Sequence, residues 1–312
     1  MAENSLNGSE SSAMQEIQAS LPISDDVLAL IVIISLLVLA IIEFRRPYLQ
    51  PGIKVIKDSY LTNLTLFLFN DITLSLLSIP ALYLAAQQFE GIGLLSGLPD
   101  GPGKYVISFV LLDLAMFGWH YLSHHSDWLW KFHRVHHSDM TLNVTTGLRF
   151  HMAELLLEAL VRVVFIALIG VTAGVVLFTQ TLISIFVLFH HTNITFPHEK
   201  EWARIFIVPR LHRVHHSILR EEHDSNYGAV FSFWDRLFGT LKDKEPVAIG
   251  LVDTEVVSIQ DILKKGFRFR SHEISLGVLL DYIQDTLRRG NYVRKPAYAR
   301  AGGEEDSQQD QS

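Results

Sequence analysis

LLLEALVRVVFIALIGVTAGVVLFTQTLISIFVLF, residues 155–189, runs for 35 residues with only two charges, Glu158 and Arg162. A straight helix of that length would be ~50 Å long, against a hydrocarbon core of ~30 Å. The stretch is therefore predicted to fold as two tilted or re-entrant arms hinged near Gly170 and Gly174. Histidines bracket it: His151 stands just before it and His190-His191 directly after it. Toward the N-terminus three more apolar runs read as membrane spans, at 27–44, 60–86 and 105–121. The first is stopped by Arg45, Arg46 and Pro47; the third runs straight into His120. The second carries Asn63, Asn70, Asp71 and Pro80. Polar groups are costly against lipid, so one of its faces should look into protein.

The reading is an all-α integral membrane protein with about four transmembrane or re-entrant helices and a cytosolic, histidine-rich helical cap. Orientation follows from the Lys/Arg bias. The N-terminal tail is acidic, whereas the loop after the first span holds Arg45, Arg46, Lys54 and Lys57, which makes that loop cytosolic. Counting spans onward then puts 120–151 and 190–223 on the same cytosolic side. Residues 1–24 are predicted to be a disordered tail, with no signal-peptide pattern. Residues 25–245 form the membrane-embedded domain, 246–300 a cytosolic segment and 301–312 a second tail.

Composition restricts the chemistry. The chain of 312 residues has no cysteine, which excludes disulfides, thiolate zinc sites and iron–sulfur clusters, so any metal must take nitrogen or oxygen ligands. It has 15 histidines, and all but His272 lie between His120 and His223. The formal charge of −7 comes partly from the tails, and nothing points to nucleic acid.

The histidines are spaced. His120 and His124 sit at i and i+4, so two imidazoles share one helix face. Asp113 lies seven residues earlier on the same stripe, where an imidazole N–H is a natural partner. His133, His136 and His137 should lie on one side of a helical turn, as should His212, His215 and His216. The hexapeptide HRVHHS occurs twice, at 133–138 and 212–217. Two identical cassettes suggest two metals, or one site of approximate symmetry. Imidazole suits iron, zinc and copper. Oxidising an unactivated C–H bond demands a redox metal, which iron is and zinc is not. His125, His151, His190, His198, His223 and His272, taken singly, read as ordinary polar residues, and Trp119, Trp128, Trp130 and Trp202 as an interfacial aromatic belt.

The order HxxxH, HxxHH, His-x-Asn after an apolar hairpin, then HxxHH resembles the fatty acid hydroxylase superfamily, or sterol desaturase family, in a bacterial-type member. The resemblance covers about 113–240 and includes FHRVHHSDMTLNVTTGLRFH (132–151) and PRLHRVHHSILREEHDSNYGAVFSFWDRLFG (209–239). Tyr121 stands where many members have Arg. The resemblance implies metal ligands at His120, His124, His133, His136, His137, His191, His212, His215 and His216. It makes Asp113, Arg149, His151, Asn193, Asn226 and Asp235 supporting residues, and it leaves His190 outside the ligand set.

It further implies two iron ions, replaceable by zinc during purification, in a membrane-bound oxygenase of the bacterial inner membrane that hydroxylates a lipid. Desaturation by the same site is the alternative, and a metal-handling membrane protein a remote one. Oxygen activation needs two electrons per turnover, and the chain has no G-x-G-x-x-G dinucleotide fingerprint. An external ferredoxin- or cytochrome-type donor with its reductase is therefore expected; the basic stretch Lys264, Lys265, Arg268 and Arg270 reads equally as its docking surface or as a contact with anionic lipid headgroups.

Overall fold

The computed structural model describes residues 25–89, 91–99 and 101–251. Both predicted tails, the segment beyond Leu251, the basic stretch Lys264, Lys265, Arg268 and Arg270, and His272 lie outside the described residues. Within them the chain is helical and has no strand. Two isolated antiparallel bridges, Phe206 with Phe231 and Ser217 with Ile249, are the only β pairings among the described residues.

Five long helices carry the architecture: α1 (Asp25–Arg45), α2 (Ile53–Phe89), α3 (Pro102–His125), α5 (Met152–Ile169) and α6 (Ala173–His191). Three of them, α1, α3 and α6, are long and apolar enough to cross a bilayer. On α1, Leu30, Ile33, Leu37 and Ile41 are each at least half exposed, as befits side chains that meet lipid. A short helix α4 (Asp127–His137) and a 3₁₀ turn (Val144–Leu148) lie between α3 and α5. Four short helices follow α6: α7 (Glu199–Trp202), α8 (Pro209–His215), α9 (Arg220–His223) and α10 (Phe233–Leu237).

The 35-residue apolar run is a hairpin, as its length requires. His151 caps α5 by accepting the Ala153 N–H on Nδ1, and Gly170 ends that helix in a left-handed conformation with φ 67°. Thr172 caps α6 by accepting the Val175 N–H. Gly170 is thus the hinge, and Gly174 lies within the second arm. The turn after α2 packs on this hinge, where Leu94 N–H and Leu95 N–H donate to Leu168 and Ile169 carbonyls, each at 3.0 Å. A Cβ on Gly170 would sit 2.9 Å from the Gly93 nitrogen. Gly170→Ala therefore meets both a strained φ and a backbone clash. We expect it to destabilise the fold by about 1–2 kcal/mol or more, read as a lower thermal midpoint in detergent. A midpoint equal to that of the parent would contradict this packing.

At the opposite end the chain closes around the histidines. Asn193, just past α6, grips the loop after α1: its Oδ1 accepts the Leu49 N–H at 2.7 Å and its Nδ2 donates to the Leu49 carbonyl at 2.8 Å. Glu43 accepts N–H bonds from Val144 and Asn193 on one oxygen. All the helix ends that carry histidine therefore lie together, as the span count requires. The polar face of α2 also looks inward, with Asn63 fully buried and Asn70 donating to the Phe150 carbonyl.

Asn63 and Ser59 of α2 meet the loop after α4. There the buried Asp139 accepts from Ser59, Asn63, Thr141 and Thr146. Burial pushes the Asp139 carboxyl up, but the Arg149 charge and the hydrogen bonds from Asn63, Thr141 and Ser59 outweigh it and hold it below the usual range. Arg149 spends its N–H groups on the Val135 carbonyl, Ser138 and Asn63. This network pins α4, the 3₁₀ turn and α2 in one register, which fixes where α4 presents its histidines.

Candidate metal centre

The eight histidines singled out by spacing, and His191, which the resemblance added, converge in two groups. His120, His124, His133, His137 and His215 form one; His136, His191, His212 and His216 form the other. Within each, one ligand atom per residue lies within 4.8 Å of every other. Eight of the nine are buried, and His120 is half-buried.

The cassettes are divided, which corrects the expectation that each HxxHH triplet faces one way. His133 and His137 enter the five-histidine group while His136 enters the other; His212 and His216 enter the four-histidine group while His215 crosses to the first. Helical geometry gives the reason. Residues i and i+4 lie about 40° apart around the axis, whereas neighbours i+3 and i+4 diverge by about 100°. Each cassette thus offers a pair to one group and a single imidazole to its neighbour. His137 and His216 stack at 4.4 Å between centroids where the groups meet.

The donor atoms fit a cation at each group. His136 presents Nδ1 to the Arg149 carbonyl at 3.3 Å, and His191 presents Nδ1 to the Val187 carbonyl at 2.6 Å. A carbonyl only accepts, so each ring carries its proton on Nδ1 and a lone pair on Nε2. Yet the two Nε2 atoms face each other at 3.0 Å. Two lone pairs at that distance repel, and a shared cation removes the conflict. In the other group His120 and His215 give their Nδ1–H to the Tyr227 and Ser225 carbonyls at 2.8 and 2.7 Å. Their buried Nε2 atoms have no hydrogen-bond partner among the described residues. Orphaned buried acceptors are costly, and metal ligation satisfies them.

Electrostatics prepares the rings outside the spans. Burial pushes the His133 imidazole down to about 3. Burial and then neighbouring imidazoles hold His136, His137, His212, His215 and His216 well below their ordinary value. All six are neutral near pH 7, the form that ligates.

Two outer partners of these histidines were not read from the sequence. Glu154, at the start of α5, accepts the His133 Nδ1–H at 2.5 Å, and Asp224 accepts from His124 Nδ1 at 3.2 Å. Neither stands at a helical spacing from its histidine. For Glu154 the sequence signal was a charged residue at the mouth of an apolar run; Asp224, in the polar stretch 220–228, carried none.

The supporting residues act mostly through the backbone. Asp113 does not meet an imidazole, contrary to expectation. It accepts from the Val230 and Phe231 N–H groups and the Trp234 indole, and so ties α3 to the last loop. Asp235 accepts the N–H groups of Tyr227 and Gly228, and so holds the carbonyl that anchors His120. Gly228 admits no side chain there, since a Cβ would collide with the Phe231 carbonyl. Asn226, at φ 55°, bonds Leu211 and Lys242 and pins the end of α8. Arg149 lends its carbonyl to His136, Asn193 closes the α1 loop, and His151 is a helix cap. His190 is buried 4.0 Å from the His212 ring, outside either converging set. Trp128 and Trp202 are about half exposed, as belt residues should be; Trp130 instead packs over the five-histidine group, 5.0 Å from His124.

A fatty acid hydroxylase domain matches residues 105–240, the span that holds all nine histidines. The ornithine lipid hydroxylase OlsE of Rhizobium tropici is 33% identical over 44% of this chain and 41% of its own length. The alkylglycerol monooxygenase of Caenorhabditis elegans is 28% identical over 50% of this chain and 31% of its own. The very-long-chain aldehyde decarbonylase GL1-11 of Oryza sativa subsp. indica is 30% identical over 53% and 64%. The chain thus spans less than half the length of the first two relatives. No solved structure matches it. The histidine order, the helical membrane fold and the domain match agree that residues 105–240 form a domain of the fatty acid hydroxylase superfamily.

Proposed function

We propose that this chain is a membrane-bound di-iron oxygenase that hydroxylates a lipid. The observation that carries the reading is the pair of interleaved histidine groups, whose lone pairs converge where only a cation resolves them. His120, His124, His133, His137 and His215 would hold one iron and His136, His191, His212 and His216 the other. Bound iron supplies the redox chemistry that lets dioxygen attack a C–H bond. The protein's part is to keep the rings neutral, fix their tautomers through carbonyls and Glu154, and exclude bulk water. Two relatives named as a lipid hydroxylase and a monooxygenase support hydroxylation as the outcome. Residues 25–245 form the catalytic domain, and Asp113, Arg149, His151, Asn193, Asn226 and Asp235 support the ligand geometry. The electrons come from a separate carrier protein.

Protein purified without oxygen should contain two irons per chain. A strain lacking the protein should accumulate a lipid that the reconstituted, reduced enzyme converts with one atom of labelled oxygen retained. A folded, active preparation with one metal or none overturns the di-iron assignment, and product without label overturns hydroxylation. Zinc found in an inactive preparation is explained by competition for imidazole.

The histidine end faces the cytosol of a bacterial inner membrane in this reading, supported by Arg45, Arg46, Lys54 and Lys57 near the same end. Reporter fusions after Gln50 and after Glu245 should both signal cytosol. Either one signalling the far side contradicts the orientation.

A further inference from the structure

We infer that Trp130 and His223 form the electron-entry point of the centre, where a one-electron carrier protein delivers its reducing equivalents. The inference rests on the redox reading above. Trp130 lies on α4 between Ser126 and His133 and is half-buried, so its indole reaches both the surface and the interior. It stacks on His223 with centroids 5.2 Å apart and planes within 20°. It also lies 5.0 Å from His124, 5.3 Å from His137 and 6.0 Å from His133, three members of the five-histidine group. His223 is itself 5.7 Å from His124 and 5.8 Å from His137.

No other tryptophan among the described residues meets more than one member of these groups in ring contact. Near the four-histidine group, the rings that belong to neither group are Phe150 against His136 and His190 against His191 and His212. Both of those belong to the hairpin and its approach, on the side that faces the membrane helices. Electron tunnelling weakens exponentially with distance, and Trp130 gives a single-ring path from the surface to His124 and His137, whereas the path from the exposed Tyr121 needs Tyr227 as a second ring. Trp130 is not needed as a ligand, its indole can accept no metal, and a simple shield could have been aliphatic.

The step itself is simple. The carrier is oxidised by one electron and the metal centre reduced by one, twice per turnover, with no bond made or broken in the bridge and no proton carried by the indole. The carrier is a soluble protein with an exposed cofactor edge, presented to the polar face where α9 carries the exposed Arg220, whose Nε pairs with Asp224 at 3.0 Å. That same Asp224 accepts from His124.

The test compares Trp130→Leu and Trp130→Phe with the parent, each loaded with iron. Anaerobic stopped-flow follows reduction of the centre by a [2Fe–2S] ferredoxin or a soluble cytochrome b5, whichever reduces the parent faster, and separately by dithionite with methyl viologen. Iron content is measured in the same samples. Trp130→Leu should slow reduction by the carrier at least about tenfold, Trp130→Phe should recover part of the loss, and reduction by viologen and iron content should not change. An equal loss with both reductants, or a loss of iron, shows a shield rather than a route and overturns the inference. So does carrier reduction within twofold of the parent, or a parent that viologen reduces and neither carrier does. Failure of the functional reading looks different: the parent, fully reduced by viologen and then given oxygen and lipid, makes no hydroxylated product.

Discussion

Turnover should fall more than ~100-fold on changing either His136 or His215 to alanine, yet the two variants should differ in the iron they keep. The interleaved groups make this distinction. His136 belongs to the four-histidine group, so His136→Ala leaves only His191, His212 and His216 there. Its iron content should drop from two toward one. His215 crosses into the five-histidine group, so His215→Ala leaves His120, His124, His133 and His137 in place. That variant should retain close to two irons and lose activity through altered geometry. His272→Ala should behave as the parent, because His272 stands far outside both cassettes in sequence. Iron per chain and product formed per minute, measured on the same preparations, decide the matter. Equal turnover in all three variants rejects the ligand assignment. Identical iron loss in His136→Ala and His215→Ala rejects the division of each cassette between two metals.

That division also shows where sequence reasoning runs out. Spacing of i and i+4 is a local property, so the membership of His133 with His137, and of His212 with His216, is legible in HxxHH alone. The crossing of His136 and His215 is not, because it depends on α4 and α8 approaching each other so that each middle histidine reaches the other cassette's group. The hairpin was legible for a related reason. A run of 35 apolar residues cannot lie straight in a ~30 Å core, and glycine marks the cheapest place to turn. Asp113 misled because its position on the His120 stripe says which face it occupies and not what will cover that face. The Val230–Trp234 loop, more than a hundred residues away, supplies three N–H donors that satisfy the carboxylate first. Trp130 misled in the same way. Tryptophan near a span end is usually an interfacial residue, and only the fold of α9 brings His223 beneath it.

Glu154 was invisible to spacing altogether, and it carries the second large effect expected here. Its carboxyl is 3% exposed and meets His133 Nδ1 at 2.5 Å, with the imidazole itself 5% exposed. A carboxyl acceptor fixes the ring orientation, pins the proton on Nδ1 and raises the basicity of Nε2, which faces the metal position. Glu154→Ala leaves a buried N–H with no acceptor and frees the ring to rotate. Iron affinity of the five-histidine group should fall about 10–100-fold. Glu154→Gln keeps an oxygen acceptor but weakens it, so its loss should be smaller. The measurement is iron release to a ferrous chelator under anaerobic conditions. Two groups with different ligand sets should give two phases, and only one should accelerate in the variants. Glu158, one turn further along α5, is the control. It pairs with Arg162 at i+4 and makes no hydrogen bond to a histidine of either group, though its charge reaches His133 through space, so Glu158→Gln should move the first phase less than Glu154→Gln and leave the second at the parental rate. If Glu154→Ala releases iron as slowly as the parent, the contact with His133 is a packing accident. If both phases accelerate together, Glu154 supports the fold of α5 as a whole, and the claim that it tunes one metal through one imidazole fails.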